Sequence, residues 1–168
     1  MFINYLSLPA IPHEMLEDLD TIKNKPFSEE TPFKRDSKFR LKDVDSKLHE
    51  YLKTIFPFDI LCRYQFVYDG IPIHADYKDD VGRKYAINYL LDCGGNNVVT
   101  NIYNSDKQLI ESKCIESKRW HVIHTDQLHD VKNINPQSVR IALSVGELDN
   151  DNHIIEKFLQ NFGADGGI

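Results

Sequence analysis

Residues 84–104 read KYAINYLLDCGGNNVVTNIYN, and the fold turns on how this stretch is read. Two runs rich in Ile, Val, Tyr and Leu flank the glycine-rich segment CGGNN, which is the pattern of two strands joined by a turn. The same pattern extends in both directions beyond Pro57. LCRYQFVY, IPIH, QLIESK, RWHVIH, LHDVKNI and VRIALSV are further strand candidates, separated by the turn signals DG, DDVG, NSDK and NINPQS. About eight short antiparallel strands with no helix between them predict a mainly β sandwich or barrel, and eight strands suggest a jelly roll.

Outward from this core the sequence becomes helical. VDSKLHEYLKTIF puts Val44, Leu48, Leu52 and Ile55 on one face and stops at Pro57, which predicts a helix from about 43 to 56. Before it, FINYLSL reads as a short strand. IPHEMLEDLDTI reads as a short helix with Pro12 near its start, and KNKPFSEETPFKRDSKFR as a surface loop. After the strands, HIIEKFLQNF reads as a last helix that follows the capping candidates Asp151 and Asn152 and ends at Gly163, leaving ADGGI as a frayed tail. The expected layout is one domain over 1–168: N-terminal helical support over about 1–57, a jelly-roll core over about 58–146, and a C-terminal helix over about 151–162. The sequence contains neither an internal repeat nor a low-complexity tract.

A chain of 168 residues with 41% hydrophobic and 27% charged residues is composed like an ordinary globular domain. No apolar run approaches the roughly 20 residues a spanning helix needs, and the start MFINYLSLPAIP lacks the basic and long apolar regions of a signal peptide, so the chain reads as cytoplasmic with no membrane partner. Cys62, Cys93 and Cys114 are odd in number and widely spaced, the usage of reduced thiols. A formal net charge of −6 argues against nucleic acid as a partner.

Three features within the strands carry chemistry: IHAD with His74 and Asp76, LHDV with His129, and VRIALSV with Arg140. Residues i and i+2 of an extended chain point to the same side, so His74 and Asp76 can offer an imidazole and a carboxylate to one ion. A second imidazole from a distant strand completes a two-histidine, one-carboxylate face that leaves adjacent coordination positions open. An H-x-D arises easily by chance, and HTD at His124 and Asp126 is a second one. That second copy fails on context: of the later histidines, His129 is too close for a separate strand pair, and His153 lies in the terminal helix with no arginine after it. His129, by contrast, follows His74 and Asp76 after about four strands, and Arg140 comes one turn later. Alternation groups Arg140, Ala142 and Ser144 on one face and Val139, Ile141, Leu143 and Val145 on the other.

Taken together, HAD, INYLLDCGGNNVVTNIYN, RWHVIHTDQLHDV and VRIALSV resemble the double-stranded β-helix (cupin-like jelly roll) of 2-oxoglutarate/Fe(II)-dependent dioxygenases, nearest the prolyl-4-hydroxylase-like branch, over about Tyr64 to Val145. The resemblance implies an oxidoreductase whose Fe(II) is held by His74, Asp76 and His129 and chelated by 2-oxoglutarate. O2 is consumed, succinate and CO2 are released, and ascorbate stimulates turnover. No acid or base is expected apart from the iron centre. The far carboxylate of the co-substrate needs a rigid cation, and Arg140 suits it because a guanidinium pairs bidentately and stays charged. Relatives often carry a hydroxyl two residues after this arginine; Ala142 stands there, which shifts the supporting role to Tyr89, with Ser144 as a further contact. Tyr68, or Tyr64 on the same side of its strand, is expected to border the co-substrate or substrate, and Asn101 to reach the 1-carboxylate. Gly94 and Gly95 read as a turn with positive φ. Trp120 reads as packing, and His121 and His124 as surface or supporting groups.

The implied reaction is hydroxylation of a C–H bond in a peptidyl substrate, prolyl included, or in a small molecule. Specificity would rest on YKDDVGRK after Asp76, where Arg83 and Lys84 could steer an acidic substrate, and on the 24–41 segment. The alternatives are a cupin-like metal-binding protein without oxygenase activity, a binding domain that has lost catalysis, and a nucleic-acid demethylase. Cupin sites more often use three histidines and a glutamate. Demethylases often carry a second arginine six residues after the first, where this chain has Gly146.

Overall fold

The computed structural model describes residues 1–27 and 39–162. In chain order the strands are β1 (Ile3–Tyr5), β2 (Phe39–Asp43), β3 (Ile60–Val67), β4 (Ile71–His74), β5 (Tyr77–Lys78), β6 (Val81–Gly82), β7 (Tyr85–Asp92), β8 (Val99–Tyr103), β9 (Leu109–Lys113), β10 (Trp120–His124), β11 (Leu128–Lys132) and β12 (Arg140–Glu147). The helices are α1 (Leu19–Asn24), α2 (Ser46–Lys53) and α3 (Asn152–Phe162), with one 3-10 turn at His13–Met15. The strands form a six-stranded sheet in the order β1-β10-β7-β12-β3-β2, a four-stranded sheet in the order β4-β11-β8-β9, and the small hairpin β5–β6. Every pairing is antiparallel. This is the expected double-stranded β-helix.

The larger sheet sorts its side chains by the period of two. One face carries Tyr64, Phe66, Ile87, Tyr89, Trp120, Ile141, Leu143 and Val145, which share a core with Leu48 and Leu52 of α2 and with Ile155, Phe158 and Leu159 of α3. The other face turns Ala86, Leu90, Ile123 and Ala142 toward Ile102 of the smaller sheet. The helices therefore cover the outside of the larger sheet, and the space between the two sheets is left for a cavity.

The caps explain where the helices begin. Asp45 accepts a hydrogen bond from Leu48 N at 2.8 Å and starts α2. Asp18 accepts one from Thr21 N at 2.8 Å and starts α1, which is why the helix expected over 11–22 is instead a 3-10 turn followed by a helix beginning at Leu19. Strand β1 falls in the short strand expected at FINYLSL, whereas β2 was not foreseen; the two close the edges of the larger sheet. Phe39, Arg40 and Leu41, at the end of the expected surface loop, pair with β3; the loop's residues 28–38 and the tail 163–168 lie outside the described residues. Lys42 of β2 is 1% exposed. Its ammonium donates to Ile22 O at 3.0 Å and to Lys23 O at the C-terminal end of α1, and it sits 4.4 Å from the Phe66 ring centre. A cation at a helix C-terminus satisfies carbonyls that have no partner within the helix, and here it fastens the helix to the sheet.

Candidate metal centre

His74 ends β4, and the antiparallel register sets it directly opposite His129 of β11. The two rings are 4.3 Å apart between centroids. Asp76 follows two residues after His74, and its backbone N–H donates to Thr125 O at 2.8 Å. One donor atom from each of His74, Asp76 and His129 lies within 4.8 Å of the other two, and among the described residues no other group of three His, Cys, Asp or Glu converges in this way. Nδ1 of His74 contacts Pro72 O at 2.8 Å, and Nδ1 of His129 contacts Gln127 O at 2.9 Å. A carbonyl can only accept, so each Nδ1 carries a proton and each Nε2 is left for the cluster.

The charges around the cluster suit a cation. Burial pushes the Asp76 carboxyl upward, but hydrogen bonding from His74 together with the charge and hydrogen bond of Arg83 outweighs it and holds the group well below the usual carboxylate range. Nε2 of His74 lies 3.1 Å from Asp76 Oδ1, and this hydrogen bond raises the His74 pKa against its burial. Burial lowers the pKa of His129, which keeps that ring neutral and able to bind a metal. Arg83 Nε donates to the other oxygen, Asp76 Oδ2, at 2.7 Å, and Arg83 Nη1 reaches Ser144 Oγ at 3.5 Å. Arg83 thus leaves Oδ1 as the oxygen facing the histidines. The second H-x-D contributes through its middle residue: Thr125 Oγ1 donates to Arg83 O at 2.9 Å and Thr125 N to Lys84 O at 2.7 Å, which ties down the segment after Asp76.

A cavity of about 280 Å³ runs between the sheets from this cluster to Arg140. Arg140 is 6% exposed and lines the cavity. Burial lowers its pKa to about 10, so it stays positive at neutral pH, and among the described residues no carboxylate pairs with it. The CGGNN turn sets its position. Gly94 (φ +79°) passes so close that a Cβ there would meet Arg140 N at 2.9 Å. Gly94 and Gly95 thus have the positive φ their turn required, and Gly94 adds a close approach that only glycine permits.

The remaining candidates separate by face. Ser144 lies on the cavity side, within reach of Arg83. Tyr89 does not: it packs with Trp120 at 5.0 Å between ring centres, on the helix-covered face, so the supporting role expected of it is corrected. The residues of β7 that line the cavity are Ala86 and Asn88, one position out of step with Tyr89. Tyr64 and Tyr68 are also displaced from the expected site. Tyr64 donates to Glu17 Oε2 at 2.7 Å, and Tyr68 stacks on Phe66 at 6.3 Å, while Gln65 and Val67 of the same strand line the cavity. Asn101 points to the far side of the smaller sheet and donates to Asp130 Oδ1 at 2.8 Å; its neighbour Thr100 faces the cavity. Asn88 and Thr100 are polar lining residues that reading the sequence did not select, and His121, read there as a surface or supporting group, is buried and lines the cavity as well. Alternation from Arg140 to Ser144, carried through the strands paired with it, reaches Asn88 and His121; Thr100 belongs to the facing sheet and is reached only through the fold.

No family model matches the chain, and no curated protein matches it. Among solved structures it is similar to a prolyl hydroxylase from Trichoplax adhaerens in complex with a hypoxia inducible factor peptide fragment, at 14% identity over 64% of this chain and 61% of that one, with a TM-score of 0.47. A 2OG-Fe(II) oxygenase family oxidoreductase from Burkholderia pseudomallei matches at 9% identity over 75% of this chain and 73% of that one, with a TM-score of 0.46. An oxalate decarboxylase from Lactobacillus farciminis matches at 15% identity over 65% of this chain and 28% of its own length, with a TM-score of 0.42.

Proposed function

We propose that this protein is a 2-oxoglutarate-dependent oxygenase with iron(II) held by His74, Asp76 and His129, hydroxylating a C–H bond of a peptidyl or small-molecule substrate. The observation that carries the reading is that three converging donors share one cavity with a buried arginine that no carboxylate among the described residues pairs with. Two imidazoles and one carboxylate on one side of an ion suit iron(II) with open positions, and the protonated Nδ1 atoms present both histidines through Nε2. Iron(II) bound there supplies the oxidising chemistry that consumes O2 and 2-oxoglutarate, yields succinate and CO2, and hydroxylates the substrate.

The chain's own groups bind and orient. Arg140 holds the distal carboxylate of 2-oxoglutarate by a charge-paired fork in a nearly dry recess, where such a pair is strong. Arg83 fixes the Asp76 carboxylate with one oxygen toward the histidines. Val131, Ile123 and Ala142 line the walls and keep water from the stretch between the two ends. The test is succinate release with iron(II), ascorbate and 2-oxoglutarate, alongside calorimetric binding of 2-oxoglutarate to the Mn(II)-loaded protein. Metal-dependent 2-oxoglutarate binding and iron-dependent succinate are expected. Absence of both overturns the reading and favours a metal-binding protein without oxygenase activity.

A further inference from the structure

Asp76 and Arg83 meet because the hairpin between them brings them side by side. Its ladder pairs Tyr77 with Gly82 and Lys78 with Val81, so Asp76 and Arg83 are the residues just outside it. A ladder of two residues on each strand is too short to hold a position by itself. The tip is also unfavourable: Asp79 (φ +52°) and Asp80 (φ +62°) both adopt the left-handed region, which glycine usually supplies at such a turn. Val81 beside it is 73% exposed, so little apolar packing holds it. The position of Arg83 therefore depends on anchors from outside the hairpin.

Thr125 is one anchor, through its bonds to Arg83 O and Lys84 O. The second comes from the first residue of α3. Asn152 Nδ2 donates to Gly82 O at 3.0 Å, and Asn152 Oδ1 accepts from Lys84 N at 2.7 Å. One side-chain amide thus bridges the residue before Arg83 and the residue after it. Glu156, one turn further along the helix, adds contacts to Tyr85 Oη at 3.3 Å and Lys84 Nζ at 3.8 Å. The helix itself does not need the Asn152 side chain to begin, because Asp151 Oδ1 caps it by accepting from His153 N at 2.9 Å.

Resting on the metal site of the oxygenase reading, we propose that Asn152 is a positioning residue for that site. By bridging Gly82 and Lys84 it aims the Arg83 guanidinium at Asp76 Oδ2, and so keeps Oδ1 turned toward His74 and His129. Asn152 touches neither the three donors nor the cavity and acts through Arg83. The C-terminal helix, far from Asp76 in sequence, thereby sets the orientation of the carboxylate ligand.

The test is a double-mutant cycle read by Mn(II) calorimetry, with thermal unfolding of the same samples. Asn152→Ala should weaken Mn(II) binding by about tenfold, the lower end of the loss for groups that orient a metal ligand. Arg83→Met should weaken it at least as much. Adding Asn152→Ala to Arg83→Met should then change the affinity by less than about twofold, because the residue through which Asn152 acts is gone. Leu48→Ala, in the core under α2, lowers the unfolding temperature and should leave Mn(II) affinity unchanged, which separates lost stability from lost positioning. Either single variant binding Mn(II) as tightly as the parent, or an Asn152 loss that persists in full beside Arg83→Met, overturns this inference and leaves the metal site standing. A parent protein that binds no Mn(II) overturns both.

Discussion

His74 and His129 form a cross-strand pair whose rings nearly touch, and at the scale of single residues this pair makes the sharpest predictions. Replacing either histidine with alanine leaves two donors, and His74→Ala or His129→Ala should abolish iron-dependent succinate release. Arg140→Ala should leave Mn(II) affinity intact and weaken 2-oxoglutarate binding by about 2–4 kcal/mol, the cost of removing one partner of a buried charge pair. Calorimetry on the metal-loaded variant checks it, and unchanged affinity would remove Arg140 from the site. pH acts through His74, whose pKa is raised above its ordinary 6.5 chiefly by the hydrogen bond with Asp76. A raised histidine contributes stability that is fully present below the unfolded pKa and is lost as pH rises through the folded one. Metal binding needs the same proton gone, so Mn(II) affinity should increase as pH rises through and above 6.5, with proton release. Titrations in buffers of different ionisation enthalpy measure both; affinity that falls with pH contradicts the assignment.

At the scale of elements, the turn between β7 and β8 positions the arginine. Gly94→Ala would force a Cβ against Arg140 N at a φ that alanine rarely adopts. It should cost about 1–3 kcal/mol and weaken 2-oxoglutarate binding more than Mn(II) binding. Thermal unfolding and the two affinities separate the effects. Helix α2 sits on the opposite face of the sheet and makes a clean contrast. Leu48 is fully buried there, and Leu48→Ala should destabilise by about 2–5 kcal/mol while leaving both affinities unchanged in the protein that remains folded.

At the scale of the molecule, the metal cluster joins the edge strand β4 to its neighbour β11 in the smaller sheet. Strand β4 is a four-residue edge strand, and its register with β11 shifts between His129 and Val131. A cation bound by His74, Asp76 and His129 should therefore raise the unfolding temperature with Mn(II) concentration and slow amide hydrogen exchange in β4 and β11 more than in β3 or β12. Equal protection throughout would mean that the ion binds elsewhere. The sequence determined the strand content, because turn chemistry and β-branched runs act over a few residues, and it brought His74 and Asp76 together, because i and i+2 share a side in any extended chain. It also put Arg140 opposite the apolar face of its own strand, since alternation within one strand is local. The tertiary structure alone decided which neighbouring strand turned which residue inward. Tyr89 and Asn88 are adjacent in sequence, and a register shift of one residue exchanges their faces, so pairing with β10 and β12 had to choose between them. It chose Asn88, with His121 on the neighbouring strand, to share the cavity face of the larger sheet with Arg140, and set Thr100 on the facing sheet, because their meeting depends on long-range strand pairing that no local period encodes.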